Sequence, residues 1–77
     1  MEYWVLTRLG REAIPLLHEA GRDEEANILE LVDRATGVTV EQVAYAMRLD
    51  NSTARHKLRS LSVNRWVWRK ITKATPF

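Results

Sequence analysis

Apolar and polar positions alternate with two different periods along this chain, and each change of period marks an element. Glu2-Tyr3-Trp4-Val5-Leu6 is rich in aromatic and branched residues and predicts a short strand. Thr7 suits a helix N-cap, and Leu9, Ala13, Leu16, Leu17 and Ala20 follow at roughly helical spacing. Pro15 removes a backbone donor and disfavours helical geometry at Ile14, so this helix is either kinked there or begins near Pro15. Gly21 closes it, where a left-handed residue ends a helix. Asp23-Glu24-Glu25 opens a second helix with acids on the favourable end of its dipole. Its stripe is Ile28, Leu29, Val32 and Ala35, with Leu31 at the flank, and Gly37 stops it.

Val38-Thr39 reads as a very short extended link. Thr39 and Gln42 form a capping box, and Val40, Val43, Ala44 and Met47 fall at i, i+3, i+4 and i+7 of a third helix. Arg48-Leu49-Asp50 is a turn, and Asn51 or Ser52 caps a fourth helix over about residues 52–62. Ala54, Leu58 and Leu61 share one arc of that helix, while Ser52, His56 and Arg59 point the opposite way with Arg55 and Ser60 beside them. Asn64 stands where the chain must reverse and tolerates positive φ. Trp66-Val67-Trp68 and Ile71 predict a second strand, with Trp66 and Trp68 on one face. The fold class is mainly α with a small β-sheet, in the order strand, four helices, strand.

Composition narrows the chemistry. Seventy-seven residues at 45% apolar and 29% charged describe a small globular chain with no spare volume for a large cofactor pocket. No cysteine is present, and His18 and His56 lie too far apart for metal-ligand spacing, so neither a metal nor a cofactor is expected. No apolar run approaches the ~18 residues of a membrane span, and no signal-peptide start is seen. No nucleophile–base pair or Gly-rich phosphate loop stands out, so the expectation is a cytoplasmic protein that is not an enzyme.

Charge changes the picture more. Residues 1–38 hold four arginines against eight acids, a net of −4. Residues 39–77 hold eight bases, Lys73 included, against Glu41 and Asp50, a net of +6. Such an asymmetry suits binding of a polyanion through one face.

Two short helices joined by a three-residue turn, the second basic on its outer face, make a helix-turn-helix. In that arrangement Asn51, Ser52 and Thr53 approach base edges, and Arg55 and Arg59 take guanine or phosphate contacts. His56 between them can bond a base or phosphate. The plain alternative is a solvated face weakly paired to nearby acids. The three tryptophans suit packing better than stacking on bases, although Trp66 or Trp68 can be partly exposed at a partner surface.

From about Glu24 to Lys73 the chain resembles the winged helix-turn-helix family of DNA-binding proteins. The carriers are Ile28 to Val32, Thr39-Val40-Glu41-Gln42-Val43-Ala44, and Ser52 to Leu61. The resemblance implies a wing over Trp66 to Ile71, with Arg65, Arg69 and Lys70 on phosphates, and further phosphate contacts at Thr39 and Gln42. Tyr3 to Glu12 is similar to the strand-then-helix that leaves the wing in MarR-like and HxlR-like repressors, where the following helix commonly makes the dimer. Two arrangements stay open for it: the tail of a preceding winged helix, or a strand that pairs with the wing while residues 9–20 pack on a partner. Arg48 and Asn64 occupy positions where the family often has Gly, and the nearness of Phe77 predicts a short wing.

The expected division is therefore an N-terminal strand and helix, residues 1–22, for packing or dimerisation, and a winged helix-turn-helix over residues 23–77. The expected function is sequence-specific double-stranded DNA binding by a small transcriptional regulator, with a homodimer through residues 3–20. A winged-helix module for protein–protein interaction is the alternative, working through the acidic half and the Trp-bearing strand. Binding of structured RNA is a third reading.

Overall fold

The computed structural model describes residues 1–72, so Lys73, counted above among the basic charges, lies outside the described residues. The elements are β1 (Glu2–Leu6), α1 (Arg8–Glu19), α2 (Asp23–Ala35), α3 (Val40–Met47), α4 (Asn51–Val63) and β2 (Val67–Ile71). The fold is mainly α with a small antiparallel sheet.

β1 pairs with β2, Trp4 opposite Arg69 and Leu6 opposite Val67. On its other edge, the Trp4 N–H donates to the Val38 carbonyl at 2.7 Å, and the Val38 N–H donates to the Trp4 carbonyl at 2.9 Å. The first strand of the chain is therefore bonded on both edges, to the last strand in a two-stranded sheet and to the Val38 link through an isolated bridge. Of the two arrangements open for the opening stretch, the strand that pairs with the last one is adopted. α1 then packs along α2 of the same chain. Trp4, Ala13 and Leu17 join Ile28, Leu29, Val32, Val43, Leu58 and Leu61 in one core, so residues 1–22 and the rest share their apolar interior. Each such large side chain contributes roughly 1.5–3 kcal/mol by leaving water.

α1 corrects the expected stripe. It begins at Arg8, capped by the Thr7 hydroxyl that accepts from the Gly10 N–H at 2.9 Å, and runs on through the exposed Pro15. Its buried face is Gly10, Ala13 and Leu17, whereas Leu9 and Leu16 are 50% and 64% exposed and Ala20 is exposed too. The cause is a close approach: a Cβ on Gly10 would stand 2.1 Å from the Trp66 carbonyl oxygen. Only glycine lets the first turn of α1 press against the turn that precedes β2. Thr7 fastens the same contact, its N–H donating to the Trp66 carbonyl at 3.1 Å and its hydroxyl reaching the Arg65 carbonyl at 2.7 Å. In α2, Ala26 is buried and Ala35 is exposed, which moves the stripe toward the helix start.

All four helices end alike. The left-handed residue is Gly21, Thr36, Arg48 and Arg65 in turn, with φ of 77°, 55°, 57° and 62°. In each, the next amide reaches back to the carbonyl five residues earlier: Arg22 to Leu17, Gly37 to Val32, Leu49 to Ala44, and Trp66 to Leu61. Two expectations are corrected by one residue each. Thr36, not Gly37, makes the left-handed stop of α2, and Arg65, not Asn64, carries the positive φ after α4, Asn64 lying at −83°. Gly37 has its own reason, φ of 130° with the Tyr3 ring close above it. Trp66 precedes β2, half-buried against the core with the Arg22 guanidinium 5.9 Å from its ring centroid, while Trp68 on the strand is 59% exposed.

Two residues should respond oppositely to simple substitution. Gly10→Ala forces α1 off the Trp66 carbonyl and should cost about 1–3 kcal/mol. Thr36→Gly removes a branched residue from the left-handed region and should gain about 1 kcal/mol. Urea denaturation of both variants checks the pair; a neutral Gly10→Ala would contradict the close approach.

His18 adds a pH dependence. Its Nδ1 lies 2.6 Å from an Asp23 carboxylate oxygen and its Nε2 lies 2.6 Å from one of Glu30. Both nitrogens donate only in the imidazolium, so the Asp23 bond first, and then the Glu30 bond, hold its pKa above the ordinary 6.5. A group whose folded pKa is raised lends stability that is complete below the unfolded value and fades as pH rises through the folded one. The denaturation midpoint should therefore fall as pH climbs from 6.5 through that raised value, and His18→Gln should flatten the change. A wild-type midpoint constant across that window would refute the double bond.

Candidate nucleic-acid interface

α3 and α4 pack on each other across the three-residue turn 48–50. α3 starts with the expected reciprocal box: Thr39 Oγ1 accepts from the Gln42 N–H at 3.2 Å, and Gln42 Oε1 accepts from the Thr39 N–H at 2.9 Å. Both oxygens are thereby occupied, which leaves the Gln42 side-chain amide and the Thr39 hydroxyl proton as donors toward a ligand. α4 is capped one residue earlier than expected. Asp50, rather than Asn51 or Ser52, accepts from the Thr53 N–H at 3.3 Å. The neighbouring Thr53 side chain leads the effects holding the Asp50 carboxyl below the usual range, with the Thr53 N–H adding to it.

With Asp50 as cap, Asn51, Ser52 and Thr53 form the first turn of α4, the first two exposed and Thr53 half-buried. Ala54, Leu58 and Leu61 anchor the inner face as expected. Arg55, His56, Arg59 and Ser60 are exposed, so the outer face holds two arginines and a histidine, and no acid lies anywhere in α4. His56 also borders a shallow cleft of about 270 Å³ against the start of α2, which Lys57, Ser60 and Leu61 line from α4. The charges there are self-satisfied, Lys57 on Glu24 at 2.6 Å and Arg22 on Glu25 at 2.6 Å.

The three cations expected together on the wing are separated. Arg65 sits in the turn after α4, about 18 Å along the helix from its first turn. β2 runs back from there, and Arg69 and Lys70 fall on opposite faces of the sheet. Arg69 stands opposite Trp4 on the face that turns toward α4; Lys70 stands opposite Tyr3 on the other. There is no hairpin after α4 among the described residues, because the partner of β2 is β1.

Two side chains escaped the sequence reading. Tyr45 is 87% exposed on α3, three residues beyond Gln42. Its signal was its position off the 40, 43, 44, 47 stripe. Glu2 is the other: its carboxylate bonds Arg55 at 2.9 Å and Arg69 at 3.3 Å. No local pattern connects residues 2, 55 and 69; only the sheet register brings them together.

The ion pairs change the meaning of the charge asymmetry. Of the acids in the first half, Glu2, Glu12, Glu24, Glu25 and Asp33 pair with Arg or Lys, and Asp23 and Glu30 bond His18, which leaves Glu19. Among the described residues, the Arg and Lys side chains without a carboxylate partner are Arg34, Arg48, Arg59, Arg65 and Lys70. Most of the acidic half is thus spent on internal contacts, and the unpaired Arg and Lys side chains, Arg34 apart, lie after residue 47.

Of residues 3–20, where a homodimer is expected, Trp4 is 2% exposed and β1 is bonded to β2 on one edge and to Val38 on the other. The outer face of α1, with Leu9 and Leu16, stays open. Among the described residues no group of three or more His, Asp or Glu side chains is placed to hold a metal, and no helix is long and apolar enough to cross a membrane. Comparison with protein-family models, curated proteins and solved structures finds no match to this chain.

Proposed function

We propose that this chain is a sequence-specific double-stranded DNA-binding protein, a small transcriptional regulator with α4 as its recognition helix. The observation that carries the reading is the acid-free outer face of α4, with Arg55, His56 and Arg59 exposed beside an open first turn. α3 and the core hold that face outward, which is what a helix needs to enter a major groove. Arg59 has no carboxylate partner among the described residues, so its guanidinium is free for a guanine edge or a phosphate. Arg65, Arg69 and Lys70 supply backbone contacts, joined by Thr39 and Gln42 from the start of α3.

We read the architecture as a winged helix in which the N-terminal strand replaces the return strand of the wing. On this reading β2 takes β1 as its strand partner, antiparallel, with Trp4 opposite Arg69. The protein acts in the cytoplasm on this reading, by binding and not by catalysis. The paired state of the acidic half argues against that half as the working surface. A protein-interaction role keeps two supporting observations, Trp68 59% exposed on β2 and the exposed Leu9 and Leu16 seven residues apart on one face of α1.

Anisotropy of a labelled 20-base-pair random duplex, titrated across a salt series, tests the reading. Log affinity should fall linearly with log salt, with a slope of about −3 for the three cationic phosphate contacts of Arg65, Arg69 and Lys70. Arg55→Ala with Arg59→Ala should lower affinity for a selected site at least about thirtyfold while the fold survives. No binding by the folded wild type at low salt would refute the reading.

A further inference from the structure

Glu2 holds a place that a nucleic-acid phosphate would otherwise fill. One carboxylate oxygen takes an N–H of Arg55 from the recognition helix at 2.9 Å, and the other takes an N–H of Arg69 from β2 at 3.3 Å. Each arginine spends a single terminal nitrogen on the contact, so most of its five donors stay free. Two anionic oxygens each bonded to one guanidinium is also how the two free oxygens of a phosphodiester would sit between the same arginines. Arg55 and Arg69 remain 45% and 48% exposed, and Glu2 is 26% exposed, so the arrangement opens to solvent and is exchangeable. It is also the sole acid among the described residues that pairs with either proposed DNA-contacting arginine.

We propose that Glu2 is a built-in competitor for DNA phosphate, and that binding proceeds by exchange of its carboxylate for a backbone phosphate between Arg55 and Arg69. This inference rests on the DNA-binding reading of α4. The strand that completes the sheet thereby also sets a threshold for polyanion binding. Without duplex, the carboxylate orders both guanidinium groups and cancels part of their charge. With duplex, the incoming phosphate must displace it, so weak contact with arbitrary polyanions is disfavoured. Arg55 and Arg69 respond as one unit, because they share one counter-charge.

The test is Glu2→Gln, which keeps the shape of the side chain and removes its charge. Random-duplex affinity should rise between about twofold and thirtyfold, the range that two exposed ion pairs are worth. The salt slope should stay as in the wild type, because the same phosphate is neutralised in both complexes. In an Arg55→Gln, Arg69→Gln background the gain from Glu2→Gln should vanish, which separates this exchange from a general charge effect. Equal or weaker binding by folded Glu2→Gln, with wild-type binding intact, overturns the competitor and leaves the DNA reading standing. Absence of duplex binding by both proteins at low salt overturns the two together. A second measurement needs no variant: the Glu2 carboxyl carbon resonance of the wild type should shift on saturation with the random duplex. A resonance that stays in place in the saturated complex overturns the exchange.

Discussion

The two-sided pairing of β1 is the constraint on which the rest of the structure depends. Trp4 alone bonds the Val38 link on one edge and faces Arg69 of β2 on the other, with its ring buried in the core. Val38 leads directly into α3, and β2 follows directly from α4. The strand therefore clasps the α3–α4 pair at both of its ends. Thr7 extends the clasp by one step, tying the start of α1 to the Arg65 and Trp66 carbonyls. β2 has no other strand partner among the described residues, so without β1 its backbone would lose its only ladder and Arg69 its position beside α4. An isolated five-residue strand has no stability of its own in water.

The helices were legible because their signals are local. The Thr39–Gln42 box, the Thr7 cap, the 40, 43, 44, 47 stripe and the inner face of α4 stand in the structure as read. The misses share a different origin, since each was decided by a contact between distant segments or by near-degenerate neighbours. Asp50, Asn51 and Ser52 are three successive residues able to cap, and nothing local chooses among them. Leu9 and Leu16 had the better claim to burial by side chain, yet α1 turns Gly10 inward because its backbone meets the Trp66 carbonyl. The Glu2 contacts span 53 and 67 residues, beyond any periodicity.

The charge pattern was visible in the sequence, but its use was not. Read as net charge, the acidic half looked like a candidate surface. In the folded chain its carboxylates answer arginines, Lys57 and His18, and each such exposed pair contributes little, about 0–1 kcal/mol. Their larger effect is on what stays open. By absorbing most cations of α1 and α2, they leave unpaired positive charge concentrated on the turn after α3, on α4 and around β2.

Backbone amide resonances of the labelled protein, followed while a duplex carrying a selected site is added, test the central claim most directly. The account predicts the largest shifts at the start of α3, along residues 51–59 and through residues 65–70, with the outer face of α1 unchanged. Shifts confined to α1 and α2, or none at all at low salt, would contradict it.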